Sequence, residues 1–161
     1  MLTICARLAL RLENLMRKYD QVNDVNLFSE YFADVEYNRM GNGDIKHYEN
    51  TAHRAIYMVS DLLIQKRGYG RNLLAVEMKR KGNHKHVAED KERIMSLVSS
   101  PKNYDEEEGR CVHDTLVGAY IEYSKIGVVV ELYENINGRG VKTEDIEMVY
   151  RQDEYIDAGI W

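Results

Sequence analysis

The stretch IYMVSDLLIQKRGYGRNLLAVEMK, residues 56–79, decides the fold. Two apolar, β-rich runs flank a short connection that holds Gly68 and Gly70, a pattern that predicts an antiparallel hairpin centred on Tyr69. In that register Asp61 stands opposite Glu77. One face of the pair then carries Met58, Leu62, Ile64, Leu74, Val76 and Met78. The other carries Val59, Leu63, Leu73 and Ala75, together with Asp61, Glu77 and Lys79 gathered toward one end. A hairpin apolar on both faces belongs inside a sheet that is covered on both faces.

Opposed carboxylates on one sheet face stand with Cβ atoms about 5 Å apart and repel each other. Three things can offset that repulsion: a shared proton, a neighbouring lysine, or a divalent cation. Mg²⁺ suits the position because it takes one or two carboxylates, keeps several waters and leaves room for phosphate oxygens. The plainer alternative is a hairpin whose charged end reaches solvent, with Glu77 and Lys79 as a weak surface pair. Three features weigh against it. The acids interrupt otherwise apolar strands, the lysine shares their face, and Glu36 in VEYNR (35–39) offers a third carboxylate.

Outward from the hairpin, the N-terminal MLTICARLALRLENL is broken by Arg7, Arg11 and Glu13, so it does not read as a signal peptide. Cys5, Leu8, Leu12 and Leu15 recur at helical spacing and predict an amphipathic helix over about 2–17. VNLFSEYF (25–32) is expected to be a short helix leading into a strand at ADVEYN (33–38). MGNGD (40–44) is a loop, and residues 45–55 carry no clear pattern. HVAEDKERIMSLVS (86–99) predicts a helix with Val87, Ile94, Leu97 and Val98 on one side, ending before Pro101. KNYDEEEGR reads as a solvated loop. VGAYIEYS and GVVVELYE alternate around Lys125 and Ile126 as a second antiparallel pair. Asn137-Gly138 marks a further turn, and the C-terminal extension, about 137–161, is open to helix or strand. Strands mixed with helices give one α/β domain over 1–161, with its core at roughly 30–134 and a central mixed β-sheet flanked by helices.

Composition narrows the function classes. With 161 residues and one proline, the chain is long enough for a continuous core and is not disordered. Cys5 and Cys111 are far apart and form no ligand-like set, which predicts reduced thiols and a cytoplasmic protein. No apolar run is long enough to span a membrane. The net charge of −5 excludes a general polyanion binder, yet basic residues concentrate between Lys66 and His86. Arg80, Lys81, His84, Lys85 and His86 follow the charged end of the hairpin and are candidate phosphate contacts; Arg67 and Arg71, in the hairpin connection, are weaker ones. His84 with His86, and Cys111 with His113, lack the further ligands of a zinc site. Tyr120, Tyr123 and Tyr133 fit cross-strand packing better than base stacking. The Gly68–Gly70 loop lacks the Lys-Ser or Lys-Thr that a P-loop needs.

Taken in order, these residues resemble the PD-(D/E)XK nuclease superfamily, the restriction-endonuclease-like fold, in particular its small uncharacterised bacterial members. The family signature is an Asp on one core strand followed by Glu or Asp, any residue and Lys on the next, matched here by Asp61 and Glu77-Met78-Lys79. Glu36 matches the acid that many members supply from upstream, and Asp90 with Lys91 matches the charged pair on the following helix. The resemblance covers roughly residues 30–134. Ser60 stands where the signature has Pro, and no Gln follows Lys79 in the helix, which sets the RecB-like branch aside. The resemblance implies phosphodiester hydrolysis of nucleic acid, DNA in the first place. Asp61, Glu77 and the Met78 carbonyl would hold Mg²⁺ or Mn²⁺, Glu36 would serve as an outer ligand or orient the attacking water, and Lys79 would steady charge in the transition state. Because duplex cleavage calls for two sites, a homodimer fits. The superfamily also has members that no longer cut, so a non-catalytic module that binds nucleic acid or a protein partner is the alternative.

Overall fold

The computed structural model describes residues 2–37, 47–49, 55–57, 60–66, 71–99 and 114–150. Among them the chain runs α1 (Leu2–Asn23), β1 (Tyr31–Tyr37), β2 (His47–Glu49), β3 (Ala55–Tyr57), β4 (Ser60–Lys66), β5 (Arg71–Arg80), α2 (Val87–Val98), β6 (Asp114–Tyr123), β7 (Gly127–Ile136) and β8 (Arg139–Val149). Six strands form one sheet in the order β1-β4-β5-β6-β7-β8, and β2 pairs with β3 as a separate ribbon. The β5–β6 pair is parallel and the rest of the sheet is antiparallel, so the sheet is mixed. A parallel neighbour needs a crossover, and α2 lies in that connection. The loops at 40–44 and 101–110, the Arg67 to Gly70 connection, Met58, Val59, Cys111, His113 and residues 151–161 lie outside the described residues.

The β4–β5 hairpin has the register that the sequence predicts at its charged end: Leu62 faces Val76, Leu63 faces Ala75 and Ile64 faces Leu74. Toward the connection the register slips, and Gln65 faces Asn72, which leaves Leu73 as the extra residue of a β-bulge. Leu73 therefore departs from the expected alternation and packs with the residues under α1.

Among the described residues, α1 covers one face of the sheet and α2 the other. Cys5, Ala9 and Met16 of α1 pack against Leu62, Ile64, Val76, Met78 and Ala119. Ile94 and Val98 of α2 pack against Tyr120 and Tyr133 on the opposite face. Leu62 and Ile94 are wholly shielded from water, and burial of such a side chain contributes about 1.5–3 kcal/mol. Strand alternation thus sends Leu62, Val76 and Met78 to α1, and Leu63, Ala75 and Glu77 to α2.

Several expectations are corrected. Helix α1 continues to Asn23, and its inward face uses Met16 while Leu15 is exposed. Residues 25–30 form turns instead of a helix, because Asp20 accepts the backbone N–H groups of Leu27 and Phe28 and Arg17 binds the carbonyls of Phe28 and Tyr31. The run from Ile56 is two elements, β3 and β4, with different partners. The C-terminal extension supplies β8, the sixth strand, after a turn in which Asn137 and Gly138 both take positive φ, 53° and 82°. Among the described residues, no helix is long and apolar enough to cross a membrane.

Candidate active site

Asp61 and Glu77 meet where β4 and β5 stop exchanging backbone hydrogen bonds. One step beyond the Leu62–Val76 pair, Asp61 Oδ2 accepts the Met78 N–H at 2.7 Å. The carboxylate so takes the place of a backbone acceptor, close enough for its charge to act on Glu77. Met78 turns its side chain the other way, into the α1 layer, where Cys5 Sγ lies 3.6 Å from its Sδ. The sheet alternation therefore separates the backbone of Met78, which serves the charged side, from its thioether, which serves the core.

Helix α2 closes over this point with two charged residues one turn apart. Arg93 Nη1 donates to Glu77 Oε1 at 2.7 Å and stands 3.6 Å from Asp90 Oδ1. Lys79 Nζ lies 2.6 Å from Asp90 Oδ2. Glu77 and Asp90 are buried, at 4% and 6% exposure. Three carboxylates, Asp61, Glu77 and Asp90, therefore face two cations, Lys79 and Arg93.

The electrostatics follow from that imbalance. Burial pushes the Glu77 carboxyl up to about 8, against the opposing pull of Arg93 and with the charges of Asp61 and Asp90 adding to the rise. A salt bridge of 2.7 Å and a raised pKa coexist because the loss of water costs Glu77 more than one guanidinium returns. Burial also raises Asp61, with the Met78 N–H acting against it. The site is short of positive charge, and a proton or a cation is what would balance it.

The polar row continues across the same face. Tyr120 is in register with Glu77 on one side and with Glu131 on the other. Glu131 accepts from Lys91 at 2.7 Å and from the Tyr133 hydroxyl at 2.6 Å, while Lys91 Nζ stands 4.7 Å above the Tyr120 ring. Tyr120 and Tyr133 are both 3% exposed, so they are packing residues and present no ring to a base. The Tyr120 hydroxyl has no hydrogen-bond partner among the described residues, and burial first, then the charge of Glu122, raises it to about 12.

The other expected residues fall in two places. Arg80, the last residue of β5, and Lys81, His84, Lys85 and His86, on the turn that joins β5 to α2, are all exposed, directly after Lys79. Gly82 at φ 85° and the Asn83 N–H bond to the Arg80 carbonyl, 3.0 Å, form that turn. Within it His86 is engaged, its Nδ1 2.6 Å from Glu89 Oε2. Glu36 sits on β1 between Val35 and Tyr37, which face Leu62 and Ser60, so its backbone flanks Asp61; its side chain lies outside the described residues. Among the described residues, no group of three or more acidic, histidine or cysteine side chains is arranged to hold a metal ion.

Arg93 and Glu131 were not singled out from the sequence, and Tyr120 was read there as a packing residue only. For Arg93 a signal existed: it lies four residues before the buried Leu97, as Asp90 lies four before the buried Ile94, which sets both on the inward side of α2. Comparison of this chain with protein-family models, with curated proteins and with solved structures found no match.

Proposed function

We propose that this chain is a metal-dependent nuclease with a PD-(D/E)XK-type site on a restriction-endonuclease-like fold, hydrolysing phosphodiester bonds in nucleic acid, DNA in the first place. The observation that carries the reading is the meeting of Asp61 and Glu77 at the charged end of β4 and β5, with Lys79 two residues on and the Met78 N–H bound to Asp61 at 2.7 Å. A mixed sheet with a helix on each face, and α2 returning the chain to a parallel strand, supports the fold.

The donor set fits a hard dication in kind. Asp61 and Glu77 supply carboxylate oxygens, β1 carries Glu36 alongside, and with every carboxyl ionised Asp61, Glu77 and Asp90 outnumber Lys79 and Arg93 by one charge, which a bound proton or a cation would answer. Bound there, such an ion would polarise the phosphate and acidify a water toward neutral pH. The residues of the chain do the rest. Asp61 is fixed by the backbone of β5, so its position costs little reorganisation. Lys79 offers an ammonium beside the scissile phosphate, where it offsets charge as the P–O ester bond breaks and the water oxygen bonds to phosphorus. The exposed Arg80, Lys81, His84, Lys85 and His86 lie next along the chain to hold the flanking phosphates.

A second reading is favoured by one specific observation. Lys79 is bound to Asp90 at 2.6 Å and Glu77 to Arg93 at 2.7 Å, the arrangement of a cluster that neutralises itself. In that reading the chain is a non-catalytic module that binds nucleic acid or a protein partner. Incubation of the protein with supercoiled and single-stranded circular DNA in Mg²⁺ or Mn²⁺ separates the two. The nuclease reading expects nicking or cutting that is lost in Asp61→Ala and reduced at least about a hundredfold in Lys79→Ala. Intact substrates with all three proteins, while DNA still shifts on a gel, select the binding module.

A further inference from the structure

The four charged side chains beneath α2 form a single chain of alternating sign. Glu77 Oε1 accepts from Arg93 Nη1 at 2.7 Å, the same nitrogen stands 3.6 Å from Asp90 Oδ1, and Asp90 Oδ2 is 2.6 Å from Lys79 Nζ. Both ends of the chain belong to β5, two residues apart. Helix α2 therefore joins Glu77 to Lys79 by a route that the strand does not have. The side chains at the acidic positions are 5% and 9% exposed, those of Lys79 and Arg93 16% and 19%. With so little water present, the partner of each charge is decided by the others in the chain.

We infer that Arg93 and Asp90 are positioning residues that tie the place of Lys79 to whether a cation occupies the Glu77 carboxyl. The inference rests on the metal-site reading given above. While Arg93 answers Glu77, Asp90 keeps an oxygen for Lys79 and holds the ammonium against α2. With a dication bound, Glu77 Oε1 would be shared with the ion and Arg93 would lose its present acceptor. The guanidinium is already within 3.6 Å of Asp90, and its planar fork suits a carboxylate better than an ammonium does. Arg93 then displaces Lys79 from Asp90, and Lys79 is released toward the phosphate. The lysine is held back until the cation is loaded.

The test needs no nucleic acid. Lys79 is labelled by reductive methylation and read by mass spectrometry with and without Mn²⁺, and Mn²⁺ binding is followed by electron paramagnetic resonance on the same samples. In the unaltered protein, Mn²⁺ is expected to raise Lys79 labelling about fivefold or more. In Arg93→Gln, Mn²⁺ binds but Lys79 labelling stays at its ion-free rate; in Asp90→Asn, Lys79 labels fast with or without the ion. An equal response to bound Mn²⁺ in Arg93→Gln and the unaltered protein overturns the inference and leaves the metal site standing. Should Arg93→Gln not fold, Asp90→Asn decides alone: slow labelling, or labelling that still rises with Mn²⁺, overturns the inference. If the unaltered protein binds no Mn²⁺, the metal-site reading falls and the inference with it.

Discussion

At Glu77 two forces of opposite sign meet, and burial wins. Between the ordinary carboxyl value of 4.5 and about 8, the folded chain keeps a proton there that the unfolded chain has released. The unfolded state then binds fewer protons, so stability falls as pH rises. The contribution of Glu77 is fully present below 4.5 and is lost as pH climbs through about 8. Asp61, raised by burial from 3.8, acts in the same direction at the low end. Glu131 runs the other way: burial acts upward on it, but hydrogen bonds from Lys91 and Tyr133 outweigh burial and lower it, so its contribution is lost as pH falls. Thermal melts from about pH 5 to about pH 8 should therefore show a declining midpoint that Glu77→Gln flattens, because the amide carries no proton to lose. Parallel curves for the two proteins would contradict the burial argument. The register that carries Asp61 and Glu77 to the same end of β4 and β5 was legible in the sequence, because the two apolar runs lie symmetrically about a pair of glycines. Arg93 was not, because five consecutive charged residues, 89–93, read as a solvated face; only the spacing to Ile94 and Leu97 turns two of them inward.

The reach of Arg93 and Asp90 depends on how closely α2 lies on the sheet, and two glycines set that distance. A Cβ on Gly118 would fall 2.3 Å from Ile94 Cγ2 and 3.2 Å from Val98 Cγ1. A Cβ on Gly140 would fall 2.2 Å from the Met95 carbonyl oxygen and 2.7 Å from its carbon, both backbone atoms that cannot rotate away. Urea denaturation should show Gly118→Ala destabilised by about 1–3 kcal/mol, as other overpacked cores are, and Gly140→Ala by more. A Gly140→Ala midpoint equal to that of the unaltered protein would mean that α2 does not bear on β8 so closely. Periodicity gave α2 well, since Val87, Ile94, Leu97 and Val98 are apolar at helical spacing. It failed for β8, where RGVKTEDIEMV carries charges on both faces and only pairing with β7 makes it a strand. It failed also at Leu73, because a bulge shifts side chains between faces without changing composition, and at VNLFSEYF, where the buried Asp20 and Arg17 fix turns that no local pattern announces.

At the scale of the molecule, the sheet has one layer of α1 packing and one of α2 packing, and they differ in kind. The α1 layer is apolar, from Cys5 to Met78; the α2 layer mixes Ile94 and Val98 with Glu77, Asp90, Arg93 and Glu131. Charge follows the same asymmetry, since the exposed basic stretch of Arg80 and the turn at 81–86 lies at the end of β5 that carries Lys79, within a chain of net charge −5. The outer strand β8 carries a register shift opposite Leu132 and Tyr133 and exposed charges at Lys142, Glu144, Asp145 and Glu147, features that discourage strand addition at that edge. The molecule is thus organised toward the α2 side of β4 and β5, and the claim that matters most is that a dication is held there by Asp61 and Glu77. Crystals soaked in Mn²⁺ and measured for anomalous scattering test it most directly. The account predicts a peak between the Asp61 and Glu77 carboxylates that disappears in Asp61→Asn. Manganese absent from that position, with Arg93 still on Glu77 and Lys79 still on Asp90, would contradict it.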